Sequence, residues 1–200
     1  MIDNARQRVL DALMTITAER GLDRVSIREV ATTAGVSIGT VQYYCRSKDE
    51  MLRMAFEYVA GQIAQRITGI DRNGDVGAFL RRALLEFLPL DDFRRTEARV
   101  YLAFAARAAV SPPLAAVQQD LLGKLRALCV QAFQAAGDRG QADPHLDPDL
   151  AAAATTAMVD GLLLHLLTDP AGLQAETALA ALDAHLGRYL TPVHVSGTEE

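Results

Sequence analysis

The residues best suited to chemistry lie in one short stretch, VSIGTVQYYCRSKDEML, at positions 36–52. It brings together small polar residues, a glutamine, two adjacent tyrosines, an arginine and a lysine. Hydroxyl, amide and cationic groups of these kinds bind DNA phosphates and the edges of bases. The stretch therefore predicts contact with nucleic acid, provided that neighbouring elements hold it against a groove.

Individual side chains of this stretch have separate predicted roles. Thr40 can bond a phosphate or meet a thymine methyl group, and Gln42 can pair bidentately with adenine. The hydroxyl groups of Tyr43 and Tyr44 can reach phosphates, and Lys48 can place a charge beside the same backbone. The alternative is that QYYCRSK is the exposed end of a helical hairpin, with half-buried tyrosines and solvated charges.

The residues around this stretch fit two short helices joined at a glycine, which is the helix-turn-helix arrangement. Gly35 falls in the turn, where a positive φ is favourable only for glycine. Ala31 falls where the two helices cross most closely, so a larger side chain would push them apart. Val30, Val36 and Val41 fall where the pair buries apolar surface. The combined spacing favours DNA binding over the alternative.

Two capping boxes predict where helices begin near this site. In SIRE, the Ser26 hydroxyl can accept from the Glu29 amide while the Glu29 side chain bonds the Ser26 amide. SKDE, at positions 47–50, has the same form and opens a fourth helix. A helix that begins at Ser37, between the two boxes, would point the amides and small side chains of its first turn into a major groove.

Apolar periodicity, glycines and prolines divide the whole chain into helices. The predicted set is nine helices, at residues 4–20, 26–35, 37–45, 47 to the loop GIDRNGD, 76–88, 94–110, 114–136, 149–168 and 174–190. Alanine is abundant, tryptophan is absent and β-branched runs are few, which favours helix over strand. We therefore predict an all-α fold without internal repeats.

The charge of the chain is unevenly distributed. The 200 residues have a formal net charge of −5, which argues against indiscriminate binding of nucleic acid. Residues 1–60 contain as many basic as acidic side chains, so residues 61–200 carry the whole negative excess. An acidic body with a locally more basic end is compatible with specific DNA binding.

Other classes of function find little support in the sequence. The apolar segment 150–169 contains Asp160 near its centre, where a membrane disfavours charge, so we expect a helix buried in protein. The four histidines lack metallohydrolase spacing, and there is no phosphate-binding glycine loop, so we expect no enzyme, no metal site and no cofactor.

Cys45 and Cys129 lie far apart in helical patterns, and the N-terminus lacks signal-peptide character, which favours the cytoplasm. Cys45 is predicted to be a core residue rather than a redox sensor.

From residue 25 to residue 52 the sequence resembles the TetR/AcrR family of bacterial transcriptional regulators. The matching residues are Ala31, Gly35, Val36, Ser37, Gly39, Thr40, Tyr43, Lys48, Glu50 and Leu52. Gln42, Tyr44 and Cys45 depart from the family pattern, which often has Tyr, His and Phe there. The resemblance implies DNA contacts at Arg28, Ser37, Ile38, Gly39, Thr40, Gln42, Tyr43, Tyr44 and Lys48.

The resemblance also implies how the chain is organised. Residues 1–47 would form the helix-turn-helix DNA-binding domain, residues 48–192 a helical effector-binding and dimerisation domain, and residues 193–200 a disordered tail. The protein would bind double-stranded operator DNA as a homodimer and respond to a small-molecule effector. The long fourth helix would couple the effector to the DNA, and repression is the default outcome because a dimer on a promoter blocks polymerase.

Two sets of residues follow for the second domain. The dimer interface is predicted from apolar surface and small residues in the last two helices, at Ala153, Ala157, Gly161, Leu164, Leu179, Leu182 and Leu186. The effector pocket is predicted at Phe79, Phe87, Tyr101, Phe104, Arg107, Gln118, Phe133, Met158 and His165. The alternative for the second set is ordinary core aromatics and a satisfied interface histidine.

Two other kinds of protein remain as alternatives to an effector-controlled regulator. One is an effector-independent DNA-binding structural or division-control protein of the same fold, which would occupy many dispersed genomic sites. The other is a protein-interaction module, which would show no salt-dependent affinity for DNA.

Overall fold

The computed structural model describes residues 2–191, with side chains from residue 4 onwards. Within that range the chain forms nine α-helices: α1 (Ile2–Arg20), α2 (Ile27–Ala34), α3 (Ile38–Tyr44), α4 (Lys48–Thr68), α5 (Val76–Leu85), α6 (Asp92–Ala108), α7 (Pro112–Asp138), α8 (Pro148–Thr168) and α9 (Ala175–Leu186). A short 3₁₀ helix, Leu22–Arg24, follows α1, and an isolated β-bridge joins Ala142 to Leu190. The predicted all-α fold is confirmed.

The chain divides into two compact units. The first contains the chain up to Gln65 together with Pro89–Leu121, and the second contains Arg66–Leu88 together with the chain from Leu122 onwards. The first unit therefore extends well past residue 47, because α6 and most of α4 pack with the helix-turn-helix. The predicted functional division at residues 47 and 48 stays a prediction, and the predicted tail at residues 193–200 lies outside the described residues.

Helices α6 and α7 each begin two residues earlier than predicted, because their first turns lie outside the apolar pattern. α6 starts at Asp92 rather than at residue 94, since the Asp91 side chain accepts a hydrogen bond from the Arg94 amide at 2.7 Å. α7 starts at Pro112 rather than at residue 114, and proline suits the first turn of a helix because its φ is already helical.

Helices α5 and α9 end three and four residues earlier than predicted, at Leu85 and Leu186, because the chain turns more tightly there. After α5, the amide of Leu88 bonds the carbonyl of Leu85 at 3.1 Å, three residues back instead of four. After α9, Leu190 forms the bridge with Ala142 instead of a further helical turn. Apolar periodicity continues through both segments, so the sequence pattern alone overestimates the helices.

The first unit has a continuous apolar core that fixes the helix-turn-helix. Its buried members come from five helices: Val9, Leu13 and Ile16 on α1, Val30 and Ala31 on α2, Val41 on α3, Met51, Ala55 and Val59 on α4, and Val100 on α6. An adjoining cluster contains Leu52 and Phe56 of α4 with Phe104 of α6. The rings of Phe56 and Phe104 are stacked with centroids 3.8 Å apart, and truncating such a ring to alanine typically costs about 3–5 kcal/mol.

The second unit is held partly by a polar contact inside its core. Thr155 of α8 is fully buried, and its Oγ1 lies 2.9 Å from Nε2 of His185 on α9. The His185 ring meets the edge of Tyr189 at 5.2 Å, and Tyr189 packs against the buried Phe133 of α7 at 5.6 Å. These contacts connect α8, α9 and α7 within the second unit, where Leu182 of α9 is also fully buried.

α8 is the helix in the described chain that is long and apolar enough to cross a membrane by length and composition. Of its most apolar 18-residue window, 44% is buried inside the protein. A single helix of this kind is weak evidence for a membrane span, because the core helix of a soluble protein can be equally long and apolar. Its remaining face, which includes Leu150 and Leu164, is exposed.

We predict that His185 makes the stability of the second unit depend on pH. Burial, and secondly the charge of Arg188, lower the pKa of His185 below its ordinary value of 6.5. The unfolded chain therefore binds this proton at a higher pH than the folded chain, and the free energy of unfolding decreases as the pH falls below about 6.5. Urea unfolding between about pH 5 and 8 measures this slope.

In this experiment His185→Gln flattens the pH dependence, whereas His145→Gln, at an exposed position, leaves it unchanged. Equal slopes for the unaltered chain and His185→Gln would contradict the assignment.

Candidate nucleic-acid interface

The turn between α2 and α3 depends on Gly35. Its backbone is left-handed, with φ of 61° and ψ of 40°, and its amide bonds the last carbonyls of α2. The Gly35 carbonyl accepts a hydrogen bond from Nη2 of Arg8 at 2.7 Å. A Cβ atom at this position would lie 2.6 Å from the same nitrogen, so a side chain would be strained and would also displace Arg8. The predicted role of Gly35 is confirmed.

The first turn of α3 is fixed by the predicted cap. The Ser37 hydroxyl accepts a hydrogen bond from the Thr40 amide at 3.1 Å, and its oxygen also lies 2.8 Å from the Thr40 hydroxyl oxygen. The Thr40 hydroxyl is therefore held in place before any DNA arrives. If the Ser37 hydroxyl donates in this contact, the Thr40 hydroxyl keeps its own proton for a phosphate.

α3 separates a buried face from an exposed one. Val41 is fully buried, and Cys45 just beyond the helix is almost so. Ile38 and Tyr43 are 45% and 75% exposed, and Gln42 is also exposed. Large apolar and aromatic groups held in solvent by a rigid helix suit contact with a partner. The helical-hairpin alternative predicts half-buried tyrosines, and the exposed fraction of Tyr43 is larger than that.

The two tyrosines are not equivalent. Tyr44 is half-buried against the first core, whereas Tyr43 stands out from it. Their rings meet edge to face with centroids 5.1 Å apart. Tyr44 therefore restricts the orientation of Tyr43, and of the pair Tyr43 presents the larger free surface.

The start of α4 differs in detail from the predicted capping box. The Ser47 hydroxyl accepts from the Glu50 amide at 3.1 Å, as predicted. The Glu50 carboxylate accepts from the Arg46 amide at 2.7 Å, one residue before the cap. The two hydrogen bonds therefore span residues 46–50 instead of 47–50. Together they fix the backbone that joins α3 to Lys48.

The predicted phosphate contact Lys48 has an acidic neighbour in the free protein. Its ammonium nitrogen lies 3.9 Å from Oδ1 of the exposed Asp23, in the 3₁₀ helix. Pairs of this kind at the surface contribute little stability, about 0–1 kcal/mol. A DNA phosphate can therefore replace Asp23 at small cost, although Asp23 would still repel it.

The capping box of α2 is also only partly formed as predicted. The Ser26 hydroxyl accepts from the Glu29 amide at 3.2 Å. The Glu29 carboxylate, predicted to bond the Ser26 amide, is placed against the guanidinium of Arg20 at the end of α1. Arg28, between these residues, is exposed.

The cysteines are buried thiols. Burial, and secondly the charge of Glu50, raise the pKa of Cys45 to about 11, and its thiol donates weakly to the Val41 carbonyl. Burial raises the pKa of Cys129 to about 12. Since the thiolate is the reactive form, both groups are unreactive at neutral pH, which fits the interpretation of Cys45 as a core residue.

The structure distributes the predicted pocket residues over both units. The first unit holds Tyr101, Phe104, Arg107 and Gln118, and the second holds Phe79, Phe87, Phe133, Met158 and His165. Phe104 and Phe133 are fully buried core residues, whereas Arg107 and His165 are exposed. Gln118 and Tyr101 do come together, with Gln118 Nε2 donating to the Tyr101 hydroxyl at 3.2 Å.

A contact that the sequence analysis missed ties α4 to α6. The Arg107 guanidinium donates twice to the Asp49 carboxylate, at 3.0 and 3.2 Å, and the Ser111 hydroxyl lies 3.4 Å from it. The hydrogen bond from Arg107 lowers the pKa of Asp49. Asp49 lies in the first turn of α4, directly after Lys48, so this pair links the candidate interface to the end of α6.

The predicted dimer residues fall into two groups. Ala153, Ala157 and Leu164 are exposed on α8, and Gly161 is partly exposed between them. Leu182 and Leu186 of α9 are 0% and 6% exposed, and Leu179 is half-buried. Since a side chain without exposed surface has none to bury against a second copy, Leu182 and Leu186 are core residues of the protomer.

Among the described residues, no group of three or more His, Cys, Asp and Glu side chains could hold a metal ion.

Comparison with known proteins gives consistent matches along the chain. Residues 9–55 match the model for bacterial regulatory proteins of the tetR family, and residues 78–191 match that for the C-terminal part of BetI-type transcriptional repressors. The transcriptional regulator PksA of Bacillus subtilis is 28% identical over 170 residues, covering 84% of this chain and 81% of PksA.

Solved structures show the same similarity. A transcriptional regulator from Rhodococcus sp. RHA1 is 37% identical with a TM-score of 0.81, over 91% of this chain and 94% of that one. A regulator from Saccharomonospora viridis in complex with choline has a TM-score of 0.83 at 22% identity, over 95% and 100% of the two chains, and so shares the fold.

We predict that Gln42→Ala and Lys48→Ala weaken DNA binding in different ways. Loss of a bidentate base contact relaxes preference at one base position by about 1–3 kcal/mol, whereas loss of a phosphate contact weakens all sequences alike and lowers the salt slope by about one unit. Selection of bound DNA from random sequence, followed by titrations at several salt concentrations, measures both.

Asp23→Asn supplies the opposite control, because it removes the acid beside Lys48. It should strengthen binding to all sequences without changing preference. Identical effects of Gln42→Ala and Lys48→Ala would show that their roles are not distinct.

Proposed function

The chain belongs to the TetR family of bacterial regulatory proteins, and from that premise we propose that it is a cytoplasmic homodimeric repressor released from its operator by a small hydrophobic or amphipathic ligand. It is a transcriptional regulator and not an enzyme. The observation that carries the proposal is the exposed face of α3, held by the Ser37 cap and the buried Val41. Selection of bound DNA tests it, and failure to recover any preferred sequence would contradict it.

The proposed DNA contacts divide into two groups by position. Ile38, Gly39, Gln42 and Tyr43 occupy the outer face of α3 and are proposed to meet base edges or the groove wall. Arg28, Ser37, Thr40, Tyr44 and Lys48 surround that face and are proposed to hold the phosphate backbone. Because the first group is exposed, DNA can approach it without rearrangement of the core.

The exposed face of α8 supports a homodimer. Leu150, Ala153, Ala157 and Leu164 recur at spacings of three, four and seven residues, which places them along one side of the helix. Leu150 and Leu164 are 68% and 41% exposed. This stripe is apolar from one end of α8 to the other, and a second copy of the same stripe would cover it.

Gly161 adds a separate argument for close approach of another helix. Glycine inside a helix is less favourable than alanine by about 1 kcal/mol. A Cβ atom at Gly161 would meet nothing within 4 Å in the protomer, so internal packing does not require glycine there. A helix from a second copy, packed closely against α8, would require it.

A dimer also suits the proposed DNA contacts. Two recognition helices must enter successive major grooves about 34 Å apart to read a two-fold symmetric operator. One copy of α3 reads only half of such a site.

We predict that Ala157→Glu disrupts the dimer, because a carboxylate would lose its hydration inside an apolar interface. Sedimentation should show a monomer at concentrations where the unaltered chain is a dimer. Operator affinity should fall by about tenfold or more, since linked binding to two half-sites is lost. Ala127→Glu, at an exposed position on α7, is the matched control and should change neither quantity. A dimeric Ala157→Glu would refute the α8 interface.

The contacts between α6 and α4 support coupling between effector and DNA. Phe104 stacks on Phe56 in the core, and Arg107 binds Asp49 at the start of α4. A shift of α6 would therefore move α4, and with it the segment that carries Lys48. Coupling of only about 1–3 kcal/mol between ligand and DNA is sufficient for regulation.

A small organic cation is the first effector to test. The Saccharomonospora viridis regulator, which shares this fold, is in complex with choline. Tyr101 of the first unit, which is partly exposed beside the buried rings of Phe56 and Phe104, is an aromatic ring of the kind that attracts such cations. Choline and related amphipathic cations are therefore the proposed starting panel.

We predict that Arg107→Gln reduces the effector response. The measured quantity is the ratio of operator affinities without and with saturating effector, obtained by fluorescence anisotropy. It should fall several-fold towards one, because the guanidinium no longer joins α6 to α4. Arg81→Gln breaks a similar exposed pair with Asp183 on α9 and should preserve the ratio. An unchanged ratio in Arg107→Gln would exclude this route of coupling.

A further inference from the structure

An unsatisfied polar atom lies beside the aromatic cluster of the first unit, which consists of Phe56, Tyr101 and Phe104. Gln118 of α7 donates through Nε2 to the Tyr101 hydroxyl at 3.2 Å. Its other amide atom, Oε1, is buried and has no hydrogen-bond partner, and it is the one buried side-chain nitrogen or oxygen in that condition among the described residues. Burying an unpaired acceptor is unfavourable, because its hydrogen bonds to water are lost and not replaced.

The surroundings of this amide are apolar. Leu52, Phe56, Phe104, Ala108 and Leu114 form a buried cluster, and Tyr101, Val117 and Leu121 pack against it. An unpaired carbonyl oxygen is electrostatically strong in such an environment because water does not screen it. A methionine would fill similar volume without an unpaired acceptor, and its loss of the hydrogen bond to Tyr101 would offset part of that gain.

We propose that Gln118 is the polar anchor of the effector site, and that the effector is a small organic cation whose O–H or N–H group donates to Gln118 Oε1. This inference rests on the proposed function, since it assigns a ligand class to a ligand-controlled repressor. An unprotonated carboxylate or phosphate oxygen does not suit this position, because it would oppose one acceptor with another. The ring of Tyr101, the partly exposed member of the aromatic cluster, suits the cationic part, and the amide oxygen accepts from its donor.

The same geometry links ligand entry to α6 and α4. Because Oε1 is buried, a ligand can reach it only when the contact between Tyr101 on α6 and Gln118 on α7 opens. Tyr101 also lies near Phe56 of α4, with ring centroids 6.3 Å apart. Entry of the ligand therefore disturbs the packing that positions α4.

The test compares two ligands that differ only in the donor. Choline carries a hydroxyl group, and ethyltrimethylammonium has the same charge and a similar size without it. Isothermal titration calorimetry of the full chain should show choline binding at least about tenfold more tightly, the discrimination expected when a buried acceptor loses its donor. In Gln118→Met the two ligands should bind equally, because the acceptor is gone.

Thermal unfolding without ligand distinguishes an anchor from a structural residue. Gln118→Met should have a melting temperature equal to or above that of the unaltered chain, whereas a structural amide would make it lower. Gln119→Met, at the exposed neighbouring position on α7, is the matched control and should preserve the preference for choline.

Three results would overturn the proposal: no binding of choline to the unaltered chain, equal binding of both ligands to it, or a clearly less stable Gln118→Met. None of these concerns operator binding, which is measured separately. A chain that selects an operator but fails this test is still a DNA-binding regulator with a different effector or none, whereas loss of operator selection would refute the proposed function itself.

Discussion

The stacked rings of Phe56 and Phe104 are the contact on which the rest of the first unit depends. They join α4 to α6 inside a core that excludes water, and Leu52 and Leu114 close the cluster around them. α4 in turn continues the segment that follows the recognition helix α3. The position of α3 is therefore set by α6 as well as by its own turn at Gly35, and a helix distant in sequence becomes part of the DNA-binding unit.

Local signals in the sequence predicted the helix-turn-helix closely. Ser37 and Gly35 act through hydrogen bonds and dihedral angles of their immediate neighbours, so their types fix where α2 ends and α3 begins. The same reasoning identified the exposed face of α3, because Val41 must point to the core and Gln42 then cannot. Signals of this kind depend on a few adjacent residues and are fully present in the sequence.

Contacts between distant residues could not be predicted in the same way. Asp49 binds Arg107 at a separation of 58 residues, and neither residue type indicates its partner. α8 and α9 show a related difficulty, since both carry apolar residues around much of their circumference. Such a pattern does not distinguish the face towards the protomer core from a face towards a second copy. For this reason Leu182 was predicted to lie in the interface, whereas the structure places it in the core.

The electrostatics of the candidate interface favour discrimination over strong binding. Lys48 lies beside Asp23, and Arg20 binds Glu29, so two cations near the helix-turn-helix are partly neutralised before DNA arrives. Because contacts to phosphates supply most non-specific affinity, these acids weaken binding to all sequences. The proposed base contacts from the exposed face of α3 would not be weakened in the same way. An acidic chain can therefore bind DNA selectively when acids balance the cations near its interface and the proposed base contacts supply the preference.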